Sequence, residues 1–196
     1  MADTQKSLKG TKTAQYLASA YVAESMAVTR YTYYAQQAQK DQYYQYANVI
    51  NETADNELHH GKIFLKYLVD GGESLGSASV DTGVLSNTVN NLKVAAAEER
   101  TEGVDFYTAA SKVAKEEGFD EISARFAAIA TIEAHHEARF DKMRERIENG
   151  TVWKSDTPVK WQCLVCGYIY EGTTPPEKCP ACFHPYQHFM RAEDNI

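Results

Sequence analysis

A Glu-x-x-His step occurs twice in this chain. "NETADNELHHGKIF" (51–64) carries Glu57 and His60, and "AAIATIEAHHEARF" (127–140) carries Glu133 and His136, 76 residues later. Residues i and i+3 of a helix share a face. Each step therefore aims a carboxylate and an imidazole the same way, a donor pair suited to iron or manganese. His59 and His135, one position earlier, point elsewhere and read as surface or supporting residues. A second donor set lies near the C-terminus. Cys163, Cys166, Cys179 and Cys182 form two C-x-x-C pairs with twelve residues between them. Four thiolates converging from two tight turns make a tetrahedral metal site. Gly167, after the second cysteine, lets backbone N–H groups turn toward sulfur. Zinc and iron both fit four sulfurs, and the spacing does not choose between them. His184, beside a proline just after the last cysteine, reads as structural.

The elements that must position these residues are long helices. All five prolines lie at Pro158 or later, and the stretch before them is rich in Ala, Glu, Gln and Lys. Four helices are expected, at about 13–39, 42–69, 86–116 and 119–148, with "DGGESLGSASVDTG" (70–83) as the central loop. Ile50, Ala54, Glu57, Phe64 and Leu68 form one stripe, and Phe126, Ala130, Glu133 and Phe140 another. Each apolar stripe has a carboxylate in its middle. Burying an ionised carboxylate is costly unless a charge or a metal compensates.

The repeat extends beyond the four donors. At the same offset Tyr43 meets Phe119, Ala54 meets Ala130, Phe64 meets Phe140 and Lys66 meets Lys142. The four helices thus read as two copies of one helical hairpin. The first and third should then supply equivalent acids. Glu24 precedes Glu57 by 33 residues, and Glu99, from the run Glu98, Glu99, Glu102, precedes Glu133 by 34. Glu102, three positions after Glu99, is either an extra ligand or a solvated acid. Four carboxylates and two imidazoles suit two iron or manganese ions better than one zinc. Bundles of the ferritin-like di-iron and di-manganese class carry this arrangement.

Composition narrows the function classes. The chain has 196 residues and a net charge of −7, which argues against a nucleic-acid partner. The N-terminus "MADTQKSLKGTKTAQYL" has no apolar core of a leader, and no apolar run approaches about 18 residues. The expectation is no membrane and a cytoplasmic location. In that setting paired cysteines read as metal ligands, not disulfides. Eight of thirteen tyrosines fall between Tyr16 and Tyr46, most of them expected in core and interface positions.

A helical di-metal pattern followed by "WQCLVCGYIYEGTTPPEKCPACFHP" resembles the rubrerythrin family over nearly the whole chain, from "SLKGTKT" at Ser7 to the tail. The resemblance implies a mainly α protein. A ferritin-like four-helix bundle (1–149) is joined by a linker (150–158) to a small rubredoxin-like four-cysteine domain with short β-strands (159–196). It implies two non-haem irons held by Glu24, Glu57, His60, Glu99, Glu133 and His136, with Glu57 and Glu133 bridging, and a third iron held by the cysteines. Glu102 would be an extra carboxylate that exchanges with His60, and Tyr31 and Tyr107 would hydrogen-bond near the site. The implied activity is a peroxidase reducing hydrogen peroxide to water. Its electrons would come through the rubredoxin-type iron from NAD(P)H, by way of a separate reductase or a rubredoxin, in a head-to-tail homodimer. Phe183 departs from the glycine usual after the fourth cysteine of rubredoxins. The competing readings are a ferritin-like protein that oxidises and hands on iron, and a non-enzymatic zinc-ribbon adaptor.

Overall fold

The computed structural model describes residues 7–72 and 83–195. Ten positions of the expected central loop, 73–82, lie outside the described residues. Helix α1 spans Lys12–Lys40, α2 Tyr44–Asp70, α3 Thr88–Glu98, α4 Phe106–Glu116 and α5 Asp120–Glu148. The third expected helix is not a uniform α-helix. Between α3 and α4 lies a π-helical segment, Glu99–Asp105. A π turn takes in one residue more than an α turn, and the repeat records it. Glu24 to Tyr31 is seven positions, whereas Glu99 to Tyr107 is eight.

The two hairpin turns have the same backbone. Tyr43 N donates to Ala38 O and Phe119 N to Ala114 O, both at 2.8 Å. The middle residue is left-handed in each, Gln42 at φ 65° and Gly118 at φ 75°. The turns also brace each other's hairpin. Asp41 Oδ2 accepts from the backbone N and hydroxyl of Thr88, at 3.0 and 2.6 Å, at the start of α3. Glu117 Oε2 accepts from the backbone N and hydroxyl of Thr13, at 2.8 and 2.6 Å, at the start of α1. First-turn N–H groups have no carbonyl of their own helix to bond, so each acid satisfies donors that would otherwise be orphaned.

The core divides into two apolar layers with the polar cluster between them. One holds Leu17, Phe64, Tyr107 and Phe126. The other holds their repeat counterparts, Leu92, Phe140, Tyr31 and Ile50. The hairpin duplication read from the sequence is therefore a pseudo-two-fold axis of the bundle.

The cysteine-bearing segment forms a three-stranded antiparallel sheet, ordered β2-β1-β3, from β1 (Val159–Cys163), β2 (Ile169–Gly172) and β3 (Phe189–Arg191). Trp161 is wholly buried at its centre and donates to Gly172 O at 2.9 Å. Aromatic stacking seats this unit on the α1–α2 turn. Tyr43 stacks on Trp153 with 5.6 Å between ring centroids, and Tyr44 on His188 at 4.1 Å. No helix among the described residues is long and apolar enough to cross a membrane.

Candidate metal centres

The apolar stripes of α2 and α5 face each other, and the donors set into them meet at the bundle centre. Glu24, Glu57, His60, Glu99, Glu133 and His136 are all buried. His60 Nδ1 lies 2.8 Å from Glu57 Oε2 and 3.1 Å from Glu133 Oε1. His136 Nδ1 lies 3.0 Å from Glu57 Oε1 and 2.9 Å from Glu133 Oε2. Each of these two glutamates thus presents one oxygen to each histidine. Glu24 approaches only the His60 side, at 3.7 Å, and Glu99 only the His136 side, at 3.8 Å.

Two sets of donors, each within 4.8 Å, result: Glu24, Glu57, His60 and Glu133, and Glu57, Glu99, Glu133 and His136. They share Glu57 and Glu133. The separations are those of ion pairs, yet the atoms do not hydrogen-bond one another. Both imidazole Nδ1 atoms and all four oxygens of Glu57 and Glu133 are buried without a hydrogen-bond partner. Alignment decides over distance here. Six orphaned donor atoms crowded at bonding distance are a set that two metal ions would satisfy. The oxygen and imidazole chemistry fits two irons held between shared carboxylates.

The surrounding groups fix the donors. Tyr31 Oη donates to Glu99 Oε1 at 2.7 Å, and Tyr107 Oη donates to Glu24 Oε1. Burial raises both tyrosines, and the adjoining Glu99 and Glu24 raise them further, so both stay neutral donors. His136 Nε2 faces Asn56 Oδ1 at 3.2 Å. A proton on Nε2 bonded there leaves the Nδ1 lone pair facing the cluster.

The charges of the donor cluster are strongly perturbed. Burial, and then repulsion from Glu57 and Glu133, push Glu24 and Glu99 well above the usual carboxylate range. Burial pulls the two imidazoles down, but the Glu133 and Glu57 carboxylates outweigh it and raise both to about 10. Burial pushes Glu133 up, but His136 and His60 more than offset this and leave it lowered.

Glu102 stands apart from the six. It is half-buried and belongs to neither donor set. It lines a cavity of about 30 Å³ beside the cluster, with Ala23, Ala27 and Gly103. His59 and His135 are exposed, as their spacing requires. The Asn56 contact and the part-buried Arg30–Glu98 ion pair on the cavity wall are pairings that the sequence reading does not give. Their members lie 80 and 68 positions apart, beyond any local pattern.

The cysteine centre is built from two matching knuckles. Cys163 N donates to Tyr168 O and Gly167 N to Cys163 O; Cys179 N donates to His184 O and Phe183 N to Cys179 O. The sulfurs lie within 4.8 Å of one another, Cys163 to Cys182 at 3.7 Å and Cys166 to Cys179 at 3.6 Å. Backbone N–H groups of Tyr168, Ala181, Cys182 and His184 face sulfur. Gly167 and Phe183 occupy equivalent left-handed positions, at φ 76° and φ 61°. A side chain there costs roughly 1–2 kcal/mol. The Phe183 departure thus keeps its hydrogen bond and carries its cost in the backbone. The four-thiolate geometry fits one iron.

Comparison with known proteins gives the same division. Residues 15–149 match the Rubrerythrin family model, and residues 161–190 match the model described as "Rubrerythrin, rubredoxin-like domain". Rubrerythrin-1 of Clostridium acetobutylicum is 42% identical over 194 residues, covering 97% of this chain and 99% of that protein. A solved structure of nigerythrin in a mixed-valence state superposes with a TM-score of 0.64 at 28% identity, covering 97% of this chain and 90% of the other. A Desulfovibrio desulfuricans bacterioferritin superposes with a TM-score of 0.66 at 20% identity, covering 71% of this chain and 82% of the other. That last likeness is one of fold.

Proposed function

The chain belongs to the rubrerythrin family, and from that premise we propose that it is a non-haem di-iron peroxidase. It reduces hydrogen peroxide to water (H2O2 + 2 e⁻ + 2 H⁺ → 2 H2O) and serves in oxidative-stress defence. One observation carries the reading. A buried, hydrogen-bond-starved cluster of four carboxylates and two imidazoles shares a chain with a four-thiolate centre. When bound, the bundle irons supply the two electrons of each turnover, and the cysteine-held iron supplies their replacements.

In this reading Glu24, Glu57, His60, Glu99, Glu133 and His136 would hold the irons, with Glu57 and Glu133, common to both donor sets, shared between them. Cys163, Cys166, Cys179 and Cys182 hold the third. Tyr31 and Tyr107 would fix Glu99 and Glu24 by hydrogen bonds from phenols that stay neutral. The cavity beside Glu102 and Gly103 admits a molecule of a few atoms, about the size of two waters. Glu102 is the extra, mobile carboxylate, and its half-exposed position suits it to carry protons from solvent. Residues 1–149 form the peroxidase bundle, 150–158 the linker and 159–196 the electron-feeding domain.

The electron route we propose crosses between chains of a head-to-tail homodimer. The cysteine unit is seated at Tyr43 and Tyr44, whereas Glu57 lies 13 positions further along α2. At 1.5 Å per residue that is roughly 20 Å from the chain's own di-iron site. An antiparallel partner would present its cysteine unit nearer the middle of this bundle. A separate NAD(P)H-linked reductase or a rubredoxin is the proposed donor, and the cytoplasm the proposed location.

The bundle's carboxylate and imidazole donors taken alone would also suit a second reading, oxidation of ferrous iron by dioxygen. An electron-feeding thiolate centre has no part in that chemistry. Steady-state NAD(P)H consumption in the presence of a reductase separates the two. Peroxide should be turned over well above dioxygen. Equal or faster turnover with dioxygen would favour iron handling. A colourless protein from iron-replete cells, with zinc at the cysteines, would favour the adaptor reading.

A further inference from the structure

We propose that Gly103 is a positioning residue for the bridging carboxylate Glu133. The space its side chain would fill is where the stem of Glu133 lies. A β-carbon at Gly103 would stand 2.7 Å from Glu133 Cβ and 2.8 Å from Glu133 Cγ, with Glu99 Oε2 at 3.5 Å. Real β-carbons do not approach so closely. The clash falls at the root of the Glu133 side chain, fixed by the α5 backbone. Rotating the outer part of Glu133 would not relieve it.

Backbone freedom does not explain this glycine. Its φ is not positive, and glycine is the poorest helix former after proline. Its environment does explain it. Gly103 is buried in the π-helical segment Glu99–Asp105. That segment packs its inner backbone against α5. The other hairpin, whose α1 is regular, has Ala27 at the equivalent position and accommodates its methyl group. Gly61 is a milder case, since a β-carbon there would meet Glu24 Cβ at 3.3 Å. The π turn and the missing side chain are thus one device. The turn sets the backbone against α5, and the glycine leaves room there for Glu133 to reach both histidines.

This inference rests on the di-iron reading, and the test separates the two. Wild-type and Gly103→Ala proteins are purified from iron-replete cells and analysed for iron per chain. The red absorbance of the cysteine centre serves as an internal reference, and ferrous-ion affinity is measured after the bundle irons are removed. Displacing the groups that orient a metal ligand costs roughly 10–100-fold in affinity. Gly103→Ala should therefore keep its helical content and its full red colour, lose most of its bundle iron, and bind ferrous ion at least tenfold more weakly. Full bundle iron at wild-type affinity in Gly103→Ala would overturn the inference. A wild type without bundle iron would overturn the di-iron reading instead. If Gly103→Ala does not fold, Glu133→Gly is added to it. Recovery of the fold supports the clash with Glu133, and failure to recover overturns it.

Discussion

Glu117 ties the turn of the second hairpin to the first turn of α1, and Glu117→Ala tests whether that brace holds the two hairpins in register. The carboxylate accepts three hydrogen bonds, from Thr13 N at 2.8 Å, Thr13 Oγ1 at 2.6 Å and Lys12 N at 3.1 Å. Thr13 is wholly buried, so its hydroxyl would be left without its acceptor. Losing a helix cap costs about 1 kcal/mol, and an unsatisfied buried donor about 1–3 kcal/mol. Thr11 still caps Ala14 N, and Glu117 is partly exposed, which holds the total to about 2–3 kcal/mol. For a chain of this length that is a fall of about 5–10 °C in Tm. Burial pushes Glu117 up, but the Thr13 and Lys12 hydrogen bonds outweigh it and leave its carboxyl below the usual range. Its contribution is therefore fully present above the unfolded carboxyl's value of about 4.3, and it is lost as pH falls through the lower folded value. Thermal melts followed by circular dichroism at pH 7 and pH 3 check this. The wild type should lead at neutral pH, and the gap should narrow as the pH falls. A Tm within a degree of wild type at pH 7, or a gap that stays constant down to pH 3, would refute the brace.

Glu57→Ala removes a carboxylate common to both donor sets. It should empty the bundle of iron and lower peroxidase activity by more than about a hundredfold, while the red cysteine absorbance stays intact; iron analysis and a peroxide assay check it. Cys163→Ser should abolish reductase-driven turnover yet spare a single oxidation by peroxide after reduction with a small mediator, as stopped-flow absorbance would show. Metal-free protein should release protons when it takes up ferrous ion near neutral pH, because His60 and His136 are raised to about 10 and must give up their protons. Binding should tighten as pH rises toward that value, and titration calorimetry in buffers of different ionisation enthalpy reads both effects.

Much of this architecture was legible because helical periodicity is local. Proline-free, alanine-rich stretches with apolar stripes define helices, and i, i+3 spacing fixes which way Glu57 and His60 point. The π turn is a different matter. Its trace is the single residue by which Glu99 to Tyr107 exceeds Glu24 to Tyr31. Which hydrogen bonds widen to absorb that residue depends on packing against α5. Gly103 looks like a helix flaw until Glu133, 30 positions later, is brought against it. The Asp41–Thr88 and Glu117–Thr13 braces likewise join residues 47 and 104 positions apart. Glu102 shows a limit of spacing arguments. It shares a helical interval with Glu99, yet the wider turn leaves it on the cavity wall, outside both donor sets.

The central claim is that peroxide is reduced at the bundle site and that the cysteine centre restores the electrons. An anaerobic titration tests it most directly. The protein is fully reduced, one equivalent of hydrogen peroxide per chain is added, and absorbance is followed at the near-ultraviolet band of the bundle iron and the visible band of the cysteine iron. Oxidation of the bundle should come first and without lag. The red colour of the cysteine centre should follow more slowly, and each peroxide should remove two electrons. A bundle that stays reduced, or a cysteine centre that reddens before the bundle changes, would contradict the account.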